Sequence, residues 1–222
     1  MNQLFPMTVR SLVAAATFSA AALAAQAQGL SGDVDAGKSK AEMCIGCHGI
    51  PGYQNSFPEI HKVPKISGQS GQFIASSLAA YKKGDRKHPT MRGIAASLSD
   101  QDMADLAAFY ASHADKKAPE TPRTASVEVA ALIEKGACAS CHGANFSTPI
   151  DPSYPKLGGQ HADYLFVALK AYTVEGNNFV GRSNGIMAGI AKQYTPAEMR
   201  AMAKYLSTVE GELKVVPQSR FR

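Results

Sequence analysis

Apolar positions recur at helical spacing along most of the chain, and no stretch sustains a two-residue alternation of apolar and polar residues. This pattern predicts helices over 35–44 and 127–138, over 71–82 and 162–172, and a closing helix in each half. The closing helices have the clearest starts. Ser99 is followed three residues on by Asp102, and Thr195 by Pro196 and Glu198, which is how a capped first turn reads. Little or no sheet is expected, so the fold class is all-α.

The order of these elements repeats. Pro64-Lys65-Ile66-Ser67-Gly68-Gln69 matches Pro155-Lys156-Leu157-Gly158-Gly159-Gln160. Phe73 and Tyr81 match Tyr164 and Tyr172, and Met91-Arg92-Gly93-Ile94-Ala95 matches Met187-Ala188-Gly189-Ile190-Ala191. The chain therefore reads as two tandem domains, 28–117 and 126–222. The linker is 118–125, polar and bearing Pro119 and Pro122, which disfavour helix on either side. A domain of this size has a small core of its own, and the chain without its cofactor is expected to be largely unstructured.

Residues 1–27 read as a leader rather than as fold. A short segment carrying Arg10 precedes the apolar run 11–25, and Ala25-Gln26-Ala27 is a small-x-small cleavage site. The run is short for a bilayer span, which needs about 20 apolar residues. Export to the periplasm through a cleaved signal peptide is expected. The formal charge is +5 over 222 residues, falling to +4 without Arg10. It is spread out, with no basic run of the kind that binds nucleic acid.

All four cysteines fall in two copies of one motif, Cys44-Ile45-Gly46-Cys47-His48 and Cys138-Ala139-Ser140-Cys141-His142. C-x-x-C-H is the attachment sequence of c-type haem. Two thiols one helical turn apart add to the two vinyl groups on one edge of the porphyrin, and the histidine ligates the iron. A thioredoxin-type pair needs no following histidine, let alone twice. Zinc ribbons place their cysteine pairs much closer together. A disulfide within C-x-x-C closes too short a loop to stabilise much. The expected cofactors are two covalently bound haem c groups, held by Cys44, Cys47, Cys138 and Cys141, with His48 and His142 on the irons.

The second axial ligand decides the class of function, because a six-coordinate iron mainly transfers electrons. Met91 and Met187 are the candidates: they match between the halves and precede the closing helices in what reads as loop. Met103, Met199 and Met202 lie on apolar stripes and read as packing, as does Met43. His61, His88, His113 and His161 have no counterpart in the other half and read as surface or loop residues.

The two C-x-x-C-H domains, each with a P-K-[IL]-x-G-Q segment and a methionine eight residues before a [ST]-x-x-[DE] helix start, resemble the di-haem cytochrome c4 family. The run Leu98 to Tyr110 is especially similar, and the resemblance covers nearly all of the chain after the leader. It implies two class I cytochrome c folds related by a pseudo-two-fold axis, with haem propionates facing each other across the interface. It also implies that the carbonyls of Pro64 and Pro155 accept the ring N–H of His48 and His142. Gly37 would sit where the first and last helices of the first domain cross, against Phe109 and Tyr110. Two segments depart from the family pattern, 51–63 and 176–185, and both bear on partner identity.

The leading reading is a non-enzymatic one-electron carrier of a respiratory chain. Its donor would be a membrane quinol-oxidising complex and its acceptor a terminal oxidase, with peripheral membrane association left open. Lys82, Lys83, Arg86 and Lys87 would form a basic docking cluster. The alternatives are the cytochrome subunit of a flavin-containing sulfide dehydrogenase or another periplasmic oxidoreductase, and a haem enzyme such as a thiosulfate dehydrogenase or a peroxidase. The last needs an open iron site, which two well-placed methionines oppose.

Overall fold

A computed structural model describes residues 31–114 and 124–217. The expected leader and all but two residues of the expected linker lie outside the described residues. The first half contains α1 (Val34–Lys40), α2 (Glu42–His48), β1 (Gln54–Asn55), β2 (His61–Lys62), α3 (Gly71–Lys83), β3 (Arg86–Lys87), α4 (Pro89–Ala96) and α5 (Asp100–Ala111). The second contains α6 (Val127–Lys135), α7 (Cys138–His142), α8 (Ala162–Ala171), β4 (Gly181–Arg182), α9 (Gly185–Ala191) and α10 (Pro196–Thr208). The described strands are two residues each, so the all-α reading holds.

The predicted lead-in helices are each broken before the cysteine motif ends. Between α1 and α2 the chain turns at Ala41. Between α6 and α7 it turns at Gly136 and at Ala137, whose φ is 47°. A side chain at Gly136 would meet the Tyr194 hydroxyl 2.5 Å away, so the tight turn needs glycine there. The break frees the short cysteine helices to take their own direction. The closing helices begin as expected: Ser99 with Asp102, and Thr195 with Glu198, form complete capping boxes, and Pro196 opens α10.

Each half has its own apolar core. In the first, Ile45, Ile74, Leu106, Phe109 and Tyr110 pack together. In the second, Phe146, Leu165, Phe166, Met199, Met202 and Leu206 do so. Met103, Met199 and Met202 are buried as expected, but Met43 is 55% exposed and is not a packing residue. On the surface of α2 it points away from the face that carries Ile45. Helix α1 crosses α5 at Gly37, where an added Cβ would lie 2.0 Å from Asp105 O and 2.7 Å from Phe109 Cβ. The crossing is anchored by Lys40, whose Nζ is 2.5 Å from Asp105 and 2.7 Å from Asp102. The Asp33 amide also donates to Asp105 at 2.9 Å.

The halves meet in a reciprocal seam. Gln69 accepts the Lys156 N–H at 2.9 Å and donates to Lys156 O at 3.1 Å. Gln160 does the same to Lys65, at 2.9 Å in both directions. Lys65 Nζ reaches Gly159 O at 2.7 Å, and Lys156 Nζ reaches Gly68 O at 2.9 Å. Equivalent residues exchanging equivalent bonds is the signature of a two-fold relation. Gly68 and Gly159 take φ of 86° and 73°, a turn that favours glycine and aims each following glutamine across the seam. The two segments that depart from the family pattern build the rest of it. Residues 51–63 form the β1–β2 hairpin, from which Lys62 contacts Asp163 and Glu59 contacts Lys170. Residues 176–185 supply β4, which pairs antiparallel with β3.

Candidate haem centres

One turn of helix carries each C-x-x-C-H set. Cys44, Cys47 and His48 lie on α2, and Cys138, Cys141 and His142 make up most of α7. Residues three apart share a helix face, so each cysteine pair presents both sulfurs to one side. A side chain at Gly46, between the two cysteines, would meet nothing within 4 Å. None of the four cysteines is in a disulfide. Among the described residues no group of three or more His, Cys, Asp or Glu side chains is placed to hold a metal ion by itself. Burial pushes the Cys44 and Cys138 thiols above their ordinary value, the reverse of what a thioredoxin-type nucleophile needs.

The histidines are oriented by the matched prolines. His48 Nδ1 is 2.8 Å from Pro64 O, and His142 Nδ1 is 2.9 Å from Pro155 O. A ring that gives its Nδ1–H to a carbonyl keeps the Nε2 lone pair for a metal, in a fixed orientation. Burial pushes both rings below the usual histidine value, so both are neutral and ready to ligate. Thiols, ring and second partner together fit a c-type haem in each half.

The methionines are not in loops. Met91 is the third residue of α4 and Met187 the third of α9. Each helix has an N-cap three residues earlier, His88 and Asn184, whose side chain accepts the methionine N–H, at 3.4 Å and 3.0 Å. A capped turn fixes the methionine backbone more firmly than a loop would. It also supplies the counterpart that His88 lacks in the sequence, since Asn184 does the same capping task. Both ring nitrogens of His88 are engaged, Nε2 lying 3.1 Å from Asn55 Nδ2. His61 is no surface residue: it is 4% exposed, with Nδ1 2.7 Å from Glu59 O. It is buried because the hairpin that carries it packs on α8. His113 bonds Ser67 at 3.0 Å, and His161 precedes α8 as Ser70 precedes α3.

The basic run is divided between the surface, where Lys82 and Lys83 are exposed, and the seam, into which Arg86 turns. Lys83 pairs with Asp85 at 2.9 Å, Lys82 donates to Leu98 O at 2.5 Å, and Lys87 donates to Asn177 O at 2.6 Å. Arg86 points into the seam, where it meets the Tyr164 hydroxyl at 2.7 Å. The sequence reading also missed the work of the matched lysines and glutamines. The P-K-x-x-G-Q repeat was visible, but it takes both copies facing each other to show that Lys65, Gln69, Lys156 and Gln160 join the halves.

Two C-x-x-C-H motifs, each with its histidine ring held by a proline carbonyl, define a c-type cytochrome with two centres. A cytochrome c family model matches residues 34–114 and again 126–210. Cytochrome c4 of Thiocapsa roseopersicina is 34% identical over 188 residues, covering 79% of this chain and 92% of that protein. A thiosulfate dehydrogenase electron acceptor of Thiomonas intermedia is 31% identical over 216 residues, covering 93% of this chain and 94% of that protein. Reduced cytochrome c4 of Pseudomonas stutzeri has a similar fold, with a TM-score of 0.59 and 26% identity over 81% of this chain and all of that one. The chain belongs to the cytochrome c4 family, and it is a di-haem electron carrier with two covalent haem c groups. Among the described residues no helix is long and apolar enough to cross a membrane.

Proposed function

We propose that this chain is a periplasmic electron carrier of a respiratory chain, with His48 and Met91 as axial ligands in the first half and His142 and Met187 in the second. In this reading residues 1–27 are a cleaved leader, and domains 28–117 and 126–222 are joined through 118–125. The donor is a membrane quinol-oxidising complex and the acceptor a terminal oxidase. The observation that carries the ligand assignment is the matched position of the two methionines, each third in a short helix and each capped from three residues back.

Each haem iron, when bound, gives and takes one electron with no bond made or broken. The residues of the chain hold the centre still while this happens. Pro64 and Pro155 fix the histidine rings, and the capped turns of α4 and α9 fix the methionine backbones. A thioether ligand favours ferrous iron and raises the potential relative to a second histidine. The near-infrared sulfur-to-iron band of the oxidised protein tests the ligands. Met91→His and Met187→His should each remove half of it and lower one potential. A band unchanged by either substitution sinks that assignment.

A second acceptor-side reading has specific support. The relative from Thiomonas intermedia, described as the electron acceptor of thiosulfate dehydrogenase, matches nearly the whole chain. In that case the donor is a thiosulfate-oxidising enzyme. Rapid reduction of this chain by such an enzyme with thiosulfate, and none by a quinol-oxidising complex, would favour it over the first reading.

A further inference from the structure

The first helix of each half crosses the last, but the two crossings are built differently. With the cysteine motifs aligned, Gly37 of α1 is matched by Ala131 of α6, and Lys40 by Glu134. With the capped closing helices aligned, Asp105 of α5 is matched by Ala201 of α10. In the first half the glycine lets the two backbones touch, and Lys40 ties the crossing to Asp105. In the second half an alanine replaces the glycine, and neither member of that ion pair is present. The packing follows the sequence. Gly37 is buried in α1, whereas no residue of α6 is buried and Val127 is 83% exposed.

The looser crossing leaves a cleft of about 590 Å³, lined by Ala130, Ile133, Ala137, Ala139, Phe146 and Tyr205 among others. Ala139 and Ser140, which also lines it, are the two residues between Cys138 and Cys141. The cleft therefore opens beside the thiol pair of the second half. Ala130, Ala137, Ala139 and Ala144 are all exposed around it.

The charge around this face has one sign. Glu134 lines the cleft, and Glu128 stands on the same helix. Asp151 follows Ile150, whose N–H donates to Cys141 O at 3.1 Å. No ion pair among the described residues includes any of these three acids. Lys135, the one basic residue of α6, is held outside the cleft, 2.9 Å from Gln193 O and 4.9 Å from the Tyr194 ring centroid. The corresponding helices of the first half mix exposed Lys38 with exposed Glu42. An apolar centre with an acidic rim is thus particular to the second half, in a chain whose formal charge is +5. Such a face complements one that is apolar at its centre and basic at its rim.

We propose that α6, α7 and residues 143–151 form the docking surface for a redox protein whose own contact face is apolar and ringed by lysine or arginine. The cleft receives an apolar side chain of that partner, and Glu128, Glu134 and Asp151 meet its basic ring. One electron passes between the partner's centre and the second haem, so that one is oxidised as the other is reduced. The inference rests on the carrier reading above and adds which half meets such a partner, and by what chemistry.

The test is an NMR titration of the reduced, haem-loaded, nitrogen-15-labelled chain at low ionic strength. The probe is unlabelled mitochondrial cytochrome c, a small basic redox protein with lysines around its contact face. Its succinylated form, in which those lysines bear carboxylates, is the control. The amides of Ala130, Ala137, Ala139 and Ala144 should shift, and those of Lys82 and Lys83 should not. Glu134 is exposed, so its replacement should leave the fold intact. Glu134→Gln should weaken binding by about 1.5- to 5-fold and Glu134→Lys by more, while Lys83→Gln, an equal change of charge in the first half, should not weaken it. Salt at about 0.5 M should remove most of the response. The succinylated probe should move none of these amides. No shift, shifts that map to the first half, indifference to Glu134→Lys, or an equal response to the succinylated probe overturns the proposal. Movement of the same amides when the chain alone is concentrated would assign the face to a second copy and overturn it too. Haem content and the sulfur-to-iron band of the oxidised sample separate the two readings. Their absence counts against the carrier, whereas an intact band without docking counts against this surface alone.

Discussion

Replacing both seam glutamines should uncouple the two halves. Gln69 and Gln160 are each 4% exposed, and each makes two hydrogen bonds across the seam. Each also accepts a backbone N–H in its own half, Ser70 at 2.9 Å or His161 at 3.0 Å. A net hydrogen bond is worth about 1 kcal/mol, and a buried backbone group left without its partner costs about 1–3 kcal/mol. Gln69→Ala removes two crossing bonds and strands the N–H and C=O of Lys156, so it should weaken docking by about 2–4 kcal/mol. Water entering the vacated space would set the lower end. The double variant should lose about 4–8 kcal/mol before coupling between the sites is counted. The crossing ion pairs Lys62–Asp163 and Lys170–Glu59 involve partly exposed side chains, and such pairs are worth about 0–1 kcal/mol each. They cannot replace what is lost. The chain has no tryptophan, so urea unfolding of the haem-loaded protein is best followed by far-ultraviolet circular dichroism. The wild type should unfold in one transition. Gln69→Ala with Gln160→Ala should unfold in two, each with a shallower denaturant dependence, because each exposes less surface. A single transition with an unchanged midpoint would refute the reasoning.

Three further outcomes follow from the same geometry. Gly37→Ala should lower the melting temperature, since its methyl would lie 2.0 Å from Asp105 O; overpacking of this kind costs about 1–3 kcal/mol, and an unchanged melting curve would mean that α1 does not cross α5 as described. The Lys40 ammonium holds the Asp105 carboxylate down to about 2, helped by the Asp33 amide and Gln101. A depressed carboxylate contributes stability above its unfolded value near 4 and loses it as pH falls through the folded value. Acid unfolding between about pH 4 and pH 2 should therefore flatten in Asp105→Asn, and an identical acid profile would rule the pair out as its source. Finally, far-ultraviolet circular dichroism of chain prepared without haem should show little helix, because each half has only a small core; strong helical signal would show that the cores suffice.

What the sequence revealed and what it hid divide along physical lines. The thiols, histidines and capped closing helices are local patterns, readable from spacing alone. The repeat exposed the paired methionines in the same way. Their helical setting was hidden because α4 and α9 are short, and short helices rich in glycine and proline carry a weak periodic signal. His61 read as loop because its burial comes from α8, more than 100 residues away in the chain. The same is true of two arginines. Arg86 fell in a basic run and Arg182 in an insertion, and only the β3–β4 pairing brings them together. Aligning each methionine with the residue five before it would have matched them. Lys65, Gln69, Lys156 and Gln160 were visible as repeated letters, but a bond between two copies of a motif has no signature in either copy.

The central claim is that two closed, six-coordinate haem centres in one chain each carry one electron. A redox titration of the purified protein, followed in the visible and near-infrared, tests it most directly. The account predicts two haems per chain, two one-electron steps, and a sulfur-to-iron band that disappears as both are reduced. A single haem, an oxidised spectrum without that band, or ready binding of carbon monoxide by the reduced protein at neutral pH would contradict it.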